Sequence, residues 1–103
     1  MKTKYLFGGR GSGISTSLLT EAIMYNKALL VPTQSQAKLY KQRATLLGWN
    51  NLIIWSVSDI IAGKHRGTRC NGILIDNADF VLKQLLNEWE LYESIDMIGI
   101  NLE

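Results

Sequence analysis

The chain has 103 residues, 47% hydrophobic and 19% charged, with a net charge of +2. That composition suits one small globular domain spanning residues 1–103, and it excludes a disordered or low-complexity chain. The single cysteine, Cys70, excludes an internal disulfide, and neither it nor the lone His65 has the companions a metal site needs.

The first predicted element is a short buried strand at Lys4 to Phe7. A glycine-rich loop follows, and residues 14 to 26 then read as a helix with Leu18, Leu19, Ala22 and Ile23 on one face. Ala28 to Val31 is an apolar run ended by Pro32, the only proline, and reads as a second strand. Thr33 or Ser35 can cap the next helix, about Gln36 to Leu47, which stops at Gly48. Leu52 to Trp55 reads as a third strand, and Ser56 to Ala62 as a turn and short helix ending at Gly63. A polar, basic loop runs from Lys64 to Asn71, ahead of a fourth strand at Ile73 to Ile75.

The last helix is expected from Ala78 to about Glu93, with Ala78, Val81, Leu82, Leu85, Leu86 and Trp89 at helical spacing. Ile95 to Ile100 reads as a final strand. Strands that alternate with helices and carry continuous apolar runs predict an α/β fold. The expected form is a single three-layer domain, with a mostly parallel five-stranded sheet flanked by helices.

Residues 8 to 15, Gly8-Gly9-Arg10-Gly11-Ser12-Gly13-Ile14-Ser15, follow the phosphate-binding pattern G-x-x-x-x-G-K-[S/T] except that Ile14 stands at the lysine position. Such a loop cradles nucleotide phosphates with backbone N–H groups at a helix N-terminus. Gly8 to Ser15 together with Thr16 are therefore the candidate nucleotide-binding residues. A second element raises the value of the first. Ile73-Leu74-Ile75-Asp76 is an apolar strand ending in a carboxylate, the arrangement that holds a Mg²⁺ shell. Ser15 and Asp76 are the candidate Mg²⁺ residues, and the expected ligand is ATP or ADP with Mg²⁺, bound weakly or not at all. The residue after Asp76 is Asn77, whose amide can hydrogen-bond a water but cannot accept its proton.

The stretch Asp76-Asn77-Ala78-Asp79 resembles the D-E-A-D box of helicases and the related box of phage terminase large subunits, with Asn77 in the glutamate position. Phe7 to Ser15 resembles the terminase-type loop G-G-R-G-S-G-K-S. Pro32-Thr33-Gln34-Ser35-Gln36-Ala37 resembles the P-T-x-x-x-A stretch of helicase motor domains, and Ile53 to Ile61 falls where those proteins carry a strand and a Thr/Ser turn. The resemblance implies a P-loop NTPase or RecA-like fold of phage or prophage type. It also implies a second lobe or subunit that closes on the nucleotide, which this chain would have to find in another molecule.

The departures from that pattern fall on catalytic positions. A charge-assisted hydrogen bond contributes about 1.5–3 kcal/mol, so losing the lysine weakens nucleotide binding by roughly 10- to 150-fold. Removing one preorganised group that stabilises transition-state charge costs ~10²–10³ in rate. With Asp76 and Asn77 as vestiges of the catalytic pair, no efficient enzyme is expected. Arg10, Arg66 or Arg69 are the conceivable stand-ins for the lysine.

Charge is unevenly placed along the chain. Up to Arg69, ten Lys/Arg against two acids give +8, and from Cys70 onward one Lys against seven acids gives −6. Lys38, Lys41 and Arg43 on the second helix and Lys64, Arg66 and Arg69 on the basic loop are candidate contacts for a partner or for nucleic acid. Trp49, between Gly48 and Asn50, is the candidate exposed aromatic contact, whereas Trp55 is assigned to the core.

Three functions are therefore in competition. The first is a degenerate P-loop protein that acts by binding a protein, such as a host or phage ATPase, or by self-association. The second is a minimal NTPase completed by oligomerisation. The third is a nucleic-acid-binding module of a replication, recombination or packaging system. The chain shows no basic-then-apolar leader and no membrane-length apolar run, so a cytoplasmic protein with no membrane partner is expected.

Overall fold

The computed structural model describes residues 13–88. Within them the order is α1 (Ile14–Tyr25), β1 (Ala28–Val31), α2 (Gln34–Leu46), β2 (Ile54–Ser56), α3 (Val57–Ile61), β3 (Ile73–Ile75) and α4 (Ala78–Glu88). The expected strands at 4–7 and 95–100, and the last helix beyond Glu88, lie outside the described residues.

The sheet is parallel with order β2-β1-β3. The five-stranded sheet expected from the sequence is thereby corrected to a three-stranded one. Only the apolar runs Ala28–Val31, Ile54–Ser56 and Ile73–Ile75 come into register side by side among the described residues. β1 is central, and Ala28, Leu29 and Val31 have no exposed surface, as a strand covered on both faces requires.

Strand alternation sorts the two faces. Leu29 pairs with Ile54 on one side and Leu74 on the other, so these three side chains form one layer. Against that layer α1 packs Leu18, Leu19 and Ala22, and α2 packs Ala37, Tyr40 and Ala44. The α2 positions are spaced i, i+3, i+7, and the two alanines let the helix approach the strands closely. The opposite face carries Ala28, Leu30 and Trp55 and is met by α3 and α4, with Val81 of α4 buried. Cover on this second face is partial: Ile73 and Ile75 remain 59% and 48% exposed.

Local chemistry sets the element ends. The Thr33 hydroxyl accepts from the Gln36 N–H and caps α2. Ser56 and Asp59 form a reciprocal capping box at α3. Asn26 closes α1 in a left-handed conformation, φ 53°, and its N–H bonds the Ala22 carbonyl.

Candidate functional site

The chain leaves β1 through α2 toward β2 on one side, then crosses back to β3 on the other side of β1. The connections that follow β1 and β3 thus depart to opposite faces of the sheet. A crevice opens between two such strands at their carboxyl ends, which is where open α/β sheets bind ligands. Asp76 stands at this point. Its N–H bonds the Leu30 carbonyl at 3.1 Å, which extends the β1–β3 ladder by one residue and fixes the carboxylate at the sheet edge.

The α1 N-terminus meets the same point. Gly13 caps it with φ 81° and ψ 9°, a left-handed turn that glycine adopts without steric cost. Among the described residues no side chain caps this end, and no acid lies in its first turn. The first N–H groups of a helix lack intrahelical acceptors and carry its positive dipole end. Two residues on, the Ser15 hydroxyl donates to Asp76 Oδ2 at 3.4 Å, across 61 positions of sequence. The two oxygen-bearing residues that the sequence assigns to Mg²⁺ are thus neighbours in space.

This pair fits the ion. Mg²⁺ takes oxygen ligands at about 2.0–2.1 Å in octahedral geometry, which puts adjacent ligand oxygens roughly 3 Å apart. Ser15 and Asp76 would hold it directly or through water, beside a helix end that favours a phosphate.

Ile14 is half-buried and, like Ile23, Leu52 and Leu74, packs against the hydrophobic cluster of α1, α2 and the sheet. Thr16 is exposed, and its carbonyl accepts from the Thr20 hydroxyl. Gly8, Gly9, Arg10, Gly11 and Ser12 lie outside the described residues. Asn77 is exposed with φ 55°, and its carbonyl accepts the Val81 N–H that opens α4.

Tyr40 is the residue that sequence reasoning missed. From the buried face of α2, its hydroxyl donates to Asp76 Oδ2, the same oxygen that Ser15 approaches. Burial first, and then the Asp76 carboxylate, push its phenol far above the ordinary tyrosine range, so it stays a neutral donor. A signal was present: Tyr40 stands between Ala37 and Ala44 in an apolar stripe, where a buried hydroxyl must find a partner.

Of the basic residues on α2, Arg43 lies near enough to Tyr40 for its charge to work on the phenol, favouring its ionised form against the stronger effects of burial and Asp76. Lys38, Lys41 and Arg43 lie exposed on α2. Lys64 pairs with Asp59 at 3.6 Å, the Arg66 side chain lies over Gly63, and His65 packs edge-on against Trp55 with ring centroids 5.9 Å apart. Arg69 precedes Asn71, whose N–H bonds the Asn26 carbonyl at the C-terminal end of α1, away from Asp76. Trp49 is 36% exposed and Trp55 is buried, the assignment the sequence suggested.

Two further features stand apart from the crevice. Gln34 donates to Ser56 Oγ at 2.7 Å and to Asp59 Oδ1 at 2.9 Å, tying the start of α2 to the start of α3. Burial works to raise the Asp59 pKa, but hydrogen bonds from Ser56 and Gln34 and the charge of Lys64 outweigh it and leave the carboxyl below its ordinary range. A shallow depression lined by Glu21, Met24, Tyr25, Asn26, Lys27 and Asn71 lies at the far end of α1. Among the described residues no cluster of His, Cys, Asp and Glu could hold a metal by itself, and no helix is long and apolar enough to cross a membrane.

Compared with known proteins, the chain matches no family model, no curated protein and no solved structure.

Proposed function

We propose that this chain is a nucleotide-binding protein of phage or prophage type that retains a Mg²⁺–phosphate site but acts by binding a partner, without efficient hydrolysis. The observation that carries this reading is the meeting of Ser15 and Asp76 at the crevice between β1 and β3. An uncapped helix end beside two oxygen ligands suits a phosphate with its cation.

When bound, Mg²⁺ would neutralise charge on the phosphate oxygens. The protein's own contribution is positional. Ser15 and Asp76 hold the cation side, and the N–H groups that open α1 receive phosphate oxygens. Turnover lacks two supports. Ile14 faces the core and gives no cation to a transferring phosphoryl group. Asn77 can orient a water but cannot take its proton. The partner surface is the outer side of α2 and the turn after it, with exposed Lys38, Lys41, Arg43 and Trp49 and no acid from Gln34 to Asn50. This surface suits an acidic protein, or a second copy presenting its acidic half. A cytoplasmic location, host cytoplasm if the protein is phage-encoded, accompanies this reading.

Titration calorimetry with Mg-ATP tests it. The native chain should bind in the millimolar range, Ile14→Lys roughly 10- to 150-fold tighter, and Asp76→Ala not detectably. No binding by either native protein or Ile14→Lys at millimolar nucleotide would overturn the reading. So would steady-state ATP hydrolysis that Asp76→Ala abolishes, since that marks a working enzyme.

The exposed cations also favour a second reading, nucleic-acid binding. Phosphate contacts by Lys38, Lys41 and Arg43 would make affinity fall steeply with salt. Binding of a DNA or RNA oligonucleotide that is unchanged between low and high salt would exclude it.

A further inference from the structure

Tyr40 does more at Asp76 than packing requires. Its ring fills the stripe between Ala37 and Ala44, where phenylalanine would pack as well. The hydroxyl is the excess. It is spent on Asp76 Oδ2, which also faces the Ser15 hydroxyl, so two donors from α1 and α2 converge on one carboxylate oxygen. The Ser15 contact is the longer of the two, at 3.4 Å, so the Tyr40 hydroxyl is the principal donor to that oxygen.

We propose that the Tyr40 hydroxyl is a resident competitor of the divalent cation: it holds Asp76 Oδ2 in the free protein and releases it when Mg²⁺ and a polyphosphate bind. This rests on the Mg²⁺–phosphate reading of Ser15 and Asp76 and adds its regulation. Tyr40 sets how tightly the site binds, and it links occupancy to α2. Release of the hydroxyl loosens the hydrogen bond by which the buried face of α2 holds the residue that follows β3. The outer face of that helix carries Lys38, Lys41 and Arg43, so the state of the site reaches the surface proposed to meet a partner. Tyr40 is a positioning residue here. It acts on the cation through Asp76 and needs no contact with phosphate.

The test uses magnesium tripolyphosphate, which carries no base and does not absorb in the tyrosine region. Calorimetry compares the native chain, Tyr40→Phe, Asp76→Asn and Ile14→Lys. Tyr40→Phe should bind on the order of ten-fold tighter than native, because one hydroxyl-to-carboxylate bond no longer has to be broken. Asp76→Asn should lose binding. A second measurement needs no variant at position 40. Saturating the native protein should give a near-ultraviolet tyrosine difference band, as a phenol loses its carboxylate acceptor, and Asp76→Asn should give none. Equal affinity of native and Tyr40→Phe overturns the proposal while leaving the underlying reading intact. No binding by native, Ile14→Lys or Tyr40→Phe overturns both. Should Tyr40→Phe lack a cooperative melt, the difference band decides alone, and saturation without a band overturns the proposal.

Discussion

At the scale of single residues, Ile14 and Asn77, the two positions where the sequence departs from the phosphate-loop and D-E-A-D patterns, each have a local physical reason for the residue they hold. Ile14 is half-buried against the α1/α2 core, where a lysine would have to withdraw its charge along an apolar surface. Ile14→Lys should therefore cost about 1 kcal/mol of stability in urea denaturation, while the proposed nucleotide site predicts tighter binding by the same variant. Opposite signs on the two readouts are the expected result, and a variant that gains affinity at no stability cost would show that the side chain is not held by the core. Asn77 sits at φ 55°, a conformation that asparagine tolerates and glutamate does not. Asn77→Glu should lose about 1 kcal/mol or somewhat more, whereas Asn77→Gly should stay within a few tenths of native. Equal losses in the two variants would place the cost in the amide side chain instead of the backbone.

At the scale of elements, α3 shows how little chain suffices when its ends are satisfied. Five residues are far too few for a stable isolated helix, so α3 depends on its capping box and on the burial of Val57. Ser56 has no exposed surface and receives Gln34 and the Asp59 N–H on one oxygen. Ser56→Ala should cost about 1–2 kcal/mol, more than an exposed cap, because it removes the acceptor shared by two part-buried hydrogen bonds. Asp59 adds an acid limb. Its folded pKa lies below the unfolded value, so its contribution is present above about pH 4 and fades as pH falls through the folded value. Asp59→Asn should lower stability at neutral pH and flatten that limb in denaturation curves recorded down to low pH. These elements also show what sequence could reveal. Ala28–Val31 and Ile73–Ile75 were legible because uninterrupted apolar runs between turn signals admit few alternatives. Thr33 was legible as one of two candidate caps, and it is the one that caps α2. The shift of the third strand to Ile54–Ser56 was not legible, since those bounds come from its pairing with Leu29–Val31 of β1.

At the scale of the molecule, Asp76 joins three elements: it directly follows β3, Ser15 of α1 approaches it, and Tyr40 of α2 donates to it. The Ser15–Asp76 pair could be anticipated from two motifs in register with a known pattern. Tyr40 could not, because nothing in a one-dimensional pattern says which carboxylate a buried hydroxyl will reach, or that the sheet would have three strands in the order β2-β1-β3. This junction has a measurable signature at high pH. An unfolded tyrosine loses its proton near pH 10. In the folded protein, burial and the adjacent carboxylate hold the Tyr40 proton to higher pH. Above pH 10 the unfolded chain therefore binds fewer protons than the native one, and stability must fall as pH rises. Below that value the contribution is complete and independent of pH. Urea denaturation of native protein and Tyr40→Phe between pH 8 and about 11 should then give curves that converge. Native protein should be the more stable at pH 8, by about 1–2 kcal/mol for the lost bond, and should lose that lead in the alkaline range. Parallel curves would mean that the Tyr40 hydroxyl does not bind the Asp76 carboxylate in the folded state, and the junction would then rest on the ring alone.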